Sequence, residues 1–303
     1  MRGYMGLTKR NLLIYFKDIQ SVIFSLLTSI IVFVLYLIFL KGTFVDAIDD
    51  AMRGLESIVK PGDVETFVNG LLLTGIMGSA IITVPYSCLT TIVRDRENKI
   101  DYDISATPIK RWMIILSYFT ASVISAFMIT AVIFTAGLII MSQMGNVYLT
   151  VKSISALYAV IALGSISSTA FFMIVVLFFK STSASSAFFG MLAAASGFVI
   201  GAYIPVSQFS DIVQTVCNIF PASHITVMIR KLILSDVLEK MNTDINGLDN
   251  GMFTEVLREI FSFNANMNGN GISTVVSLVY VGVFAVVSIA IMIFLYGKTY
   301  RRK

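Results

Sequence analysis

Nine charged side chains fall within the twenty residues Val93–Trp112, VRDRENKIDYDISATPIKRW. Arg94, Asp95, Arg96, Glu97 and Lys99 interleave both signs, and at helical spacing such residues form i,i+3 and i,i+4 ion pairs. Ile100, Tyr102 and Ile104 give the stretch something to bury. This chemistry is ion pairing and docking, or simply that of a solvated connector; it makes and breaks no bonds. Elsewhere the chain has no H-E-x-x-H, no G-x-S-x-G and no G-x-x-x-x-G-K-[ST] phosphate loop. Hydrolysis on this chain is therefore not expected. Cys88 and Cys217 are the only cysteines and His224 the only histidine, too few for a disulfide framework or a metal site. His224 reads as a proton-sensitive gate or as a hydrogen-bonded helix-start residue, the second favoured because it stands alone.

The elements that position the charged stretch are apolar and long. Only 13% of the residues are charged and the mean hydropathy is +0.85, whereas soluble domains carry about 25% charged residues. Segments 21–40, 70–92, 112–141, 153–179, 186–204 and 273–296 are each close to or beyond the ~20 residues that cross a bilayer as a helix, and none of them holds an Asp, Glu, Lys or Arg. The expected fold class is an all-α polytopic membrane protein, one transmembrane domain over 1–303 with six transmembrane helices. The segments sharing a side with residues 1–20 and 93–111 carry 14 Lys and Arg but 5 acids, against 8 and 13 on the other side. By the positive-inside rule the first side is cytoplasmic, with both termini. The basic N-terminal stretch 1–20 reads either as an interfacial helix on lipid phosphates or as a plain positive flank. No span holds an ionisable group, which weighs against an ion-coupled secondary transporter. Ser, Thr and Phe in the spans suit an amphipathic cargo, but helix packing uses the same residues.

Segment 205–272 resists a simple reading. Its apolar stretch ASHITVMIRKLILSDVLEKM contains Arg230, Lys231 and Asp236, each costing roughly 2.5–3.5 kcal/mol at a bilayer centre. Two short re-entrant or external helices between spans five and six are expected instead, with Pro205 and Pro221 at their starts. A short helix at 252–261 between Asn/Gly-rich loops follows, and KPGD at 60–63 reads as a turn. Pro85, inside the second span, is a candidate kink.

The charged stretch resembles the cytoplasmic coupling helix of the type-2 permease family of ATP-binding-cassette (ABC) exporters, whose pattern runs E-R-E-x-G-T-L-E-x-L-x-x-T-P-[IV]-x-R. Asp95, Arg96 and Glu97 match its start, Ile104 the later leucine, and Thr107, Pro108, Ile109 and Arg111 its end. Lys99 stands at the glycine and Asp101 at the first leucine. Gly201 with Pro205, and Pro221 with Arg230, match a second family pattern after the fifth span. The resemblance implies a permease subunit that pairs with a second one, as homo- or heterodimer, around a translocation path. Separate ABC ATPase subunits, carrying ATP and Mg, would push on Arg94, Asp95, Arg96, Glu97, Lys99, Ile100, Tyr102 and Ile104. It also implies Pro85, Thr107, Pro108, Gly201, Pro205, Pro221 and Arg230 as structural or gating positions. The expected setting is a bacterial plasma membrane, with lipid but no nucleic acid as partner, and a hydrophobic drug or peptide as cargo. A non-transport scaffold or receptor is the alternative.

Overall fold

The computed structural model describes residues 2–52, 58–145, 147–246 and 248–299, so the last basic residues of the tail lie outside it. One helix, α4 (Pro61–Cys88), organises the rest. It mixes Leu71, Leu72, Ile81 and Ile82 with Gly70, Gly75, Gly78 and Ser79 and has no polar stripe, so it is buried nearly throughout. It starts nine residues before the expected span: KPGD is a helix start, not a turn. Pro61 sits in the first turn, where its missing N–H is no loss.

Neighbours pack along α4 with a consistent register. α2 (Ile19–Leu35) continues through a π-turn at Tyr36–Leu40 into α3 (Lys41–Ala51). It runs antiparallel to α4: Ser87 Oγ donates to the Ser21 carbonyl at one end and Tyr36 OH to the Val68 carbonyl at the other. α7 (Arg111–Met144) is antiparallel too, with Ser122 Oγ donating to Cys88 O and Gly137 set against Leu73. α8 (Val151–Val176) runs parallel, its Phe172 ring edge-on to Tyr86 at 5.6 Å. α9 (Thr182–Val199) pairs Ser185 with Tyr86 and Ser196 with Ser79. α13 (Thr274–Thr299) lies on α8 through Phe284 and Phe171. α1 (Arg2–Lys17) lies across α7, Tyr4 OH meeting Thr120 Oγ1 at 2.6 Å. Six helices are long and apolar enough to cross a membrane, so the chain is an all-α polytopic membrane protein.

α1 and the charged stretch share one end of the bundle, the basic end; the opposite one is the acidic end. α9 stops at Val199, about halfway along α4 by the Ser79–Ser196 contact. α13 starts at a similar level, where Ser277 Oγ meets His224 Nδ1 at 3.0 Å. Residues 200–273 fill the space above them.

Within that insert, α10 (Asp211–Ile219) bends by 96° into α11 (Pro221–Ile245). The first is short, as expected; the second, at 25 residues, is not. α11 runs antiparallel to α4, from Thr226 beside Gly78 to Leu234 beside Gly70. The cost assigned to Arg230 was that of a lipid-facing cation. Here its Nη1 donates to the Phe261 and Ser262 carbonyls at 2.7 and 2.9 Å, so the charge never meets lipid. Pro221 opens α11, but Pro205 does not open α10; it precedes a 3-10 turn at Val206–Gln208, and α10 begins at Asp211. α12 (Met252–Ile260) leads into an antiparallel hairpin, β1 (Ala265–Met267) and β2 (Asn270–Ile272), with Asn266 opposite Gly271. Positive φ at Asn268 and Gly269 gives the two-residue turn that matches strand twist.

Candidate functional site

The charged stretch forms two short helices at the basic end of α4. α5 (Thr90–Glu97) follows α4 after Leu89, and α6 (Ile100–Ala106) follows α5. The helix ends before Thr107, which is extended at ψ 156° because the ring of Pro108 disfavours the α region there.

The charges of α5 reach off their own helix. Each grips a different part of the bundle. Asp95 is 3% exposed and accepts two hydrogen bonds from Arg10, at 2.6 and 2.9 Å, and one from Tyr118 OH at 2.5 Å. That bidentate pair joins α5 to α1 and α7, and the Asp95 hydrogen bond raises the Arg10 pKa further. Arg94 donates to Asp18, the N-cap of α2, at 2.5 Å. Burial draws the Asp18 carboxyl up, but hydrogen bonds from Arg94 and Ser21 outweigh it and hold the group below its usual range. Arg96 Nη1 donates to the carbonyls of Leu177 and Phe179, in the turn between α8 and α9. Glu97 accepts from the backbone N–H and hydroxyl of Thr182, placing an acid on the N-terminus of α9, where the helix dipole favours it.

Lys99 joins α5 to α6 in the left-handed conformation, φ 61°, which costs any residue with a Cβ roughly 1–2 kcal/mol. The family pattern has glycine at this position. Ile100 and Ile104 turn inward, Ile104 fully, while Tyr102 is 70% exposed. Asp103, Ala106, Pro108 and Lys110 are exposed beside it. Asp95 and Ile104, expected at a partner's surface, are buried within the subunit, and Asp103 and Ala106 are exposed. Burial also pushes the Asp101 carboxyl up.

The remaining singled-out positions lie away from this elbow. Pro85 lies inside α4, three residues from its end. Gly201 has φ +69° and lies against Val206, so a side chain there would be strained. With Pro205 it turns the chain from α9 into the insert, and Pro221 and Arg230 belong to α11. His224 is buried, with Nε2 on the Asn218 carbonyl at 2.8 Å and Nδ1 on Ser277. Arg10, Asp18, Tyr118 and Thr182, the partners that fix the elbow, carried no local signal because they lie 23 to 85 residues from the groups they hold.

Comparison with known proteins bears on the whole arrangement. Neither the curated proteins nor the solved structures contain a match. A family model described as ABC-2 family transporter protein matches residues 47–294, from the end of α3 through the elbow and the bent pair to the last turns of α13. A match over that much of the chain fixes the family, and with it the kind of subunit: the chain belongs to the ABC-2 transporter family, as a membrane-spanning permease and not the ATPase.

Proposed function

We propose that separate ATPase subunits drive this permease through α5 and α6. The observation that carries the reading is the division of the elbow into two faces. Its inner face is bound to α1, α2, α7, the α8–α9 turn and α9, while Lys99, Tyr102, Asp103 and Ala106 stay open on the outer face. An aromatic side chain so exposed at the tip of a charged helix suits a docking contact, since tyrosine is enriched among residues that dominate interfaces. A push on the outer face passes at once into the helices held by the inner one.

On this reading the basic end is cytoplasmic with both termini, and the membrane is a bacterial plasma membrane. Two such subunits, identical or different, line the path, and ATP and Mg bind to the ATPase partners. Transport is export, and the cargo is a hydrophobic drug or peptide.

The test is co-purification with the partner ATPase, followed by its hydrolysis rate in liposomes. Tyr102→Ala combined with Asp103→Lys, both on exposed residues, should weaken association at least about tenfold while the permease stays monodisperse. Undiminished association and an unchanged hydrolysis rate would remove the outer face from the mechanism.

A further inference from the structure

α1 meets the bundle along one face. Thr8, Asn11 and Tyr15 are buried there, Tyr4 OH reaches Thr120, and Arg10 is bound to Asp95. The opposite face, Arg2, Met5, Lys9, Leu13, Phe16 and Lys17, is exposed and covers about a third of the circumference at 3.6 residues per turn. Met5 is 68% exposed, Leu13 47% and Phe16 37%. Neither α1 nor α7, which it lies across, contains an acid. Among the described residues Arg2, Lys9 and Lys17 have no carboxylate partner. The acids of the other elements around α1 are engaged elsewhere or belong to the elbow: Asp18 accepts from Arg94 and Ser21, Asp95 from Arg10 and Tyr118, and Glu97 from Thr182, while Asp101 and Asp103 lie on α6.

Both ends of α1 sit where a membrane span begins. Gly3 lies beside Ile109, two residues before α7 starts, and Lys17 leads through Asp18 into α2. Lys110 and Trp112, which follow Ile109, are exposed as well, as expected at a bilayer boundary. A face that interleaves three cations with three bare apolar side chains suits neither water nor acyl chains. It suits the boundary between them: the apolar groups sink below the headgroups, and the long Lys and Arg stems carry their charges up to the phosphates. Near an anionic leaflet each such cation favours binding about fivefold.

We propose that the outer face of α1 binds anionic phospholipid in the leaflet at the basic end. Arg2, Lys9 and Lys17 meet the phosphates, and Met5, Leu13 and Phe16 lie among the first acyl carbons. Lys9 adjoins Arg10, whose hydrogen bonds to Asp95 measure 2.6 and 2.9 Å. Lipid that holds α1 therefore also holds α5, and an anionic leaflet keeps the elbow closed against the bundle more of the time than a zwitterionic one. Both effects belong to the permease alone and stand apart from ATPase docking and from the identity of the cargo.

The test uses the full-length permease in liposomes of phosphatidylcholine and phosphatidylglycerol, with brominated acyl chains on one lipid or the other. Trp112 is the only tryptophan, so Trp112→Phe with Leu13→Trp leaves a single fluorophore on the outer face, midway between Lys9 and Lys17. Brominated phosphatidylglycerol should quench it as if enriched about threefold or more over phosphatidylcholine. A fluorophore at the exposed Val283 of α13, made by Val283→Trp, should show no such preference. The enrichment should vanish near about 1 M salt, where the Debye length is about 3 Å, and in Lys9→Gln with Lys17→Gln, both on exposed residues whose loss leaves the packing intact. Amide hydrogen exchange over residues 90–106 reads local opening of the elbow, and phosphatidylglycerol should slow it about threefold or more in the wild type but not in the double lysine variant. Equal quenching by the two lipids, no quenching by either because protein covers the face, or exchange indifferent to phosphatidylglycerol would each overturn the proposal.

Discussion

If Arg10 and Asp95 tie α1 to the elbow, a double-mutant cycle between them must return a large coupling. Two unit charges about 4 Å apart attract by roughly 4 kcal/mol at an effective dielectric constant near 20. Asp95 is nearly dry, with a side chain 4% exposed, but that of Arg10 is 29% exposed, so solvent screens part of this. A net coupling of about 2 kcal/mol remains. Asp95→Ala alone should cost about 3 kcal/mol, because it strands a half-buried guanidinium and the Tyr118 hydroxyl, and breaking a buried pair costs roughly 3–5 kcal/mol. Arg10→Ala should cost about 2–3 kcal/mol by leaving the buried carboxylate with a single donor. The double variant should then lose less than the sum of the two. Equilibrium unfolding in mixed micelles reads all four corners. A coupling below about 0.5 kcal/mol, the additivity error for independent sites, would refute the pairing as a structural tie.

Lys99→Gly relieves the left-handed strain of roughly 1–2 kcal/mol but loosens the unfolded chain by about 0.5–1 kcal/mol, so the variant should unfold at the same or a slightly higher denaturant concentration; a clear loss of stability would contradict the geometry of the α5–α6 joint. Gly78→Ala should destabilise by about 1–3 kcal/mol, since a Cβ there would lie 2.6 and 2.9 Å from the two branches of Thr226, which cannot both rotate away; adding Thr226→Ser, which removes one branch, should recover part of the loss. Because the Asp18 pKa is depressed, the Arg94–Asp18 tie is present above the unfolded carboxylate value of about 3.9 and lost only as pH falls through the lower folded value. The stability difference between the wild type and Asp18→Asn should accordingly stay constant from pH 8 to about 5 and close below about 4.

The spans were legible because lipid-depth segments cannot hold stray charges, and the end of α6 because Pro108 dictates the backbone of Thr107. The family pattern also marked Lys99, though only the φ of 61° explains why glycine belongs there. What the elbow's charges do was not legible. Periodicity tests partners three or four residues apart, whereas Asp95 is bound by Arg10 and Arg94 by Asp18, 85 and 76 positions away. For α11 the hydropathy argument kept the helix out of the six spans but gave no sign of its 25-residue length. A transfer scale prices Arg230 as if it faced lipid, and three backbone carbonyls face it instead. The hairpin was a different case, since Asn268-Gly269 between alternating residues is a strong local turn signal that a composition-based reading of the loop passed over.

The contacts of α5 also bear on how a push would travel. Among the described residues, Arg94, Arg96 and Glu97 of this eight-residue helix reach a helix terminus or a turn between helices: Asp18 at the start of α2, Leu177 and Phe179 between α8 and α9, and Thr182 at the start of α9. A displacement of α5 therefore acts on three helix ends, where a small shift tilts a whole rod, while Asp95 holds α5 to the sides of α1 and α7, where tight packing resists movement. α9 is the helix that stops halfway along α4, and past Gly201 it hands the chain to the loop that borders a polar cavity in the insert. One rod thus joins the elbow at the basic end to the cavity wall at the other. Crosslinking Ser79 to Ser196, both replaced by cysteine, pins that rod to α4 at its far end without touching the elbow. ATPase association should survive the crosslink and transport should not; transport that continued at full rate would show that α9 need not move.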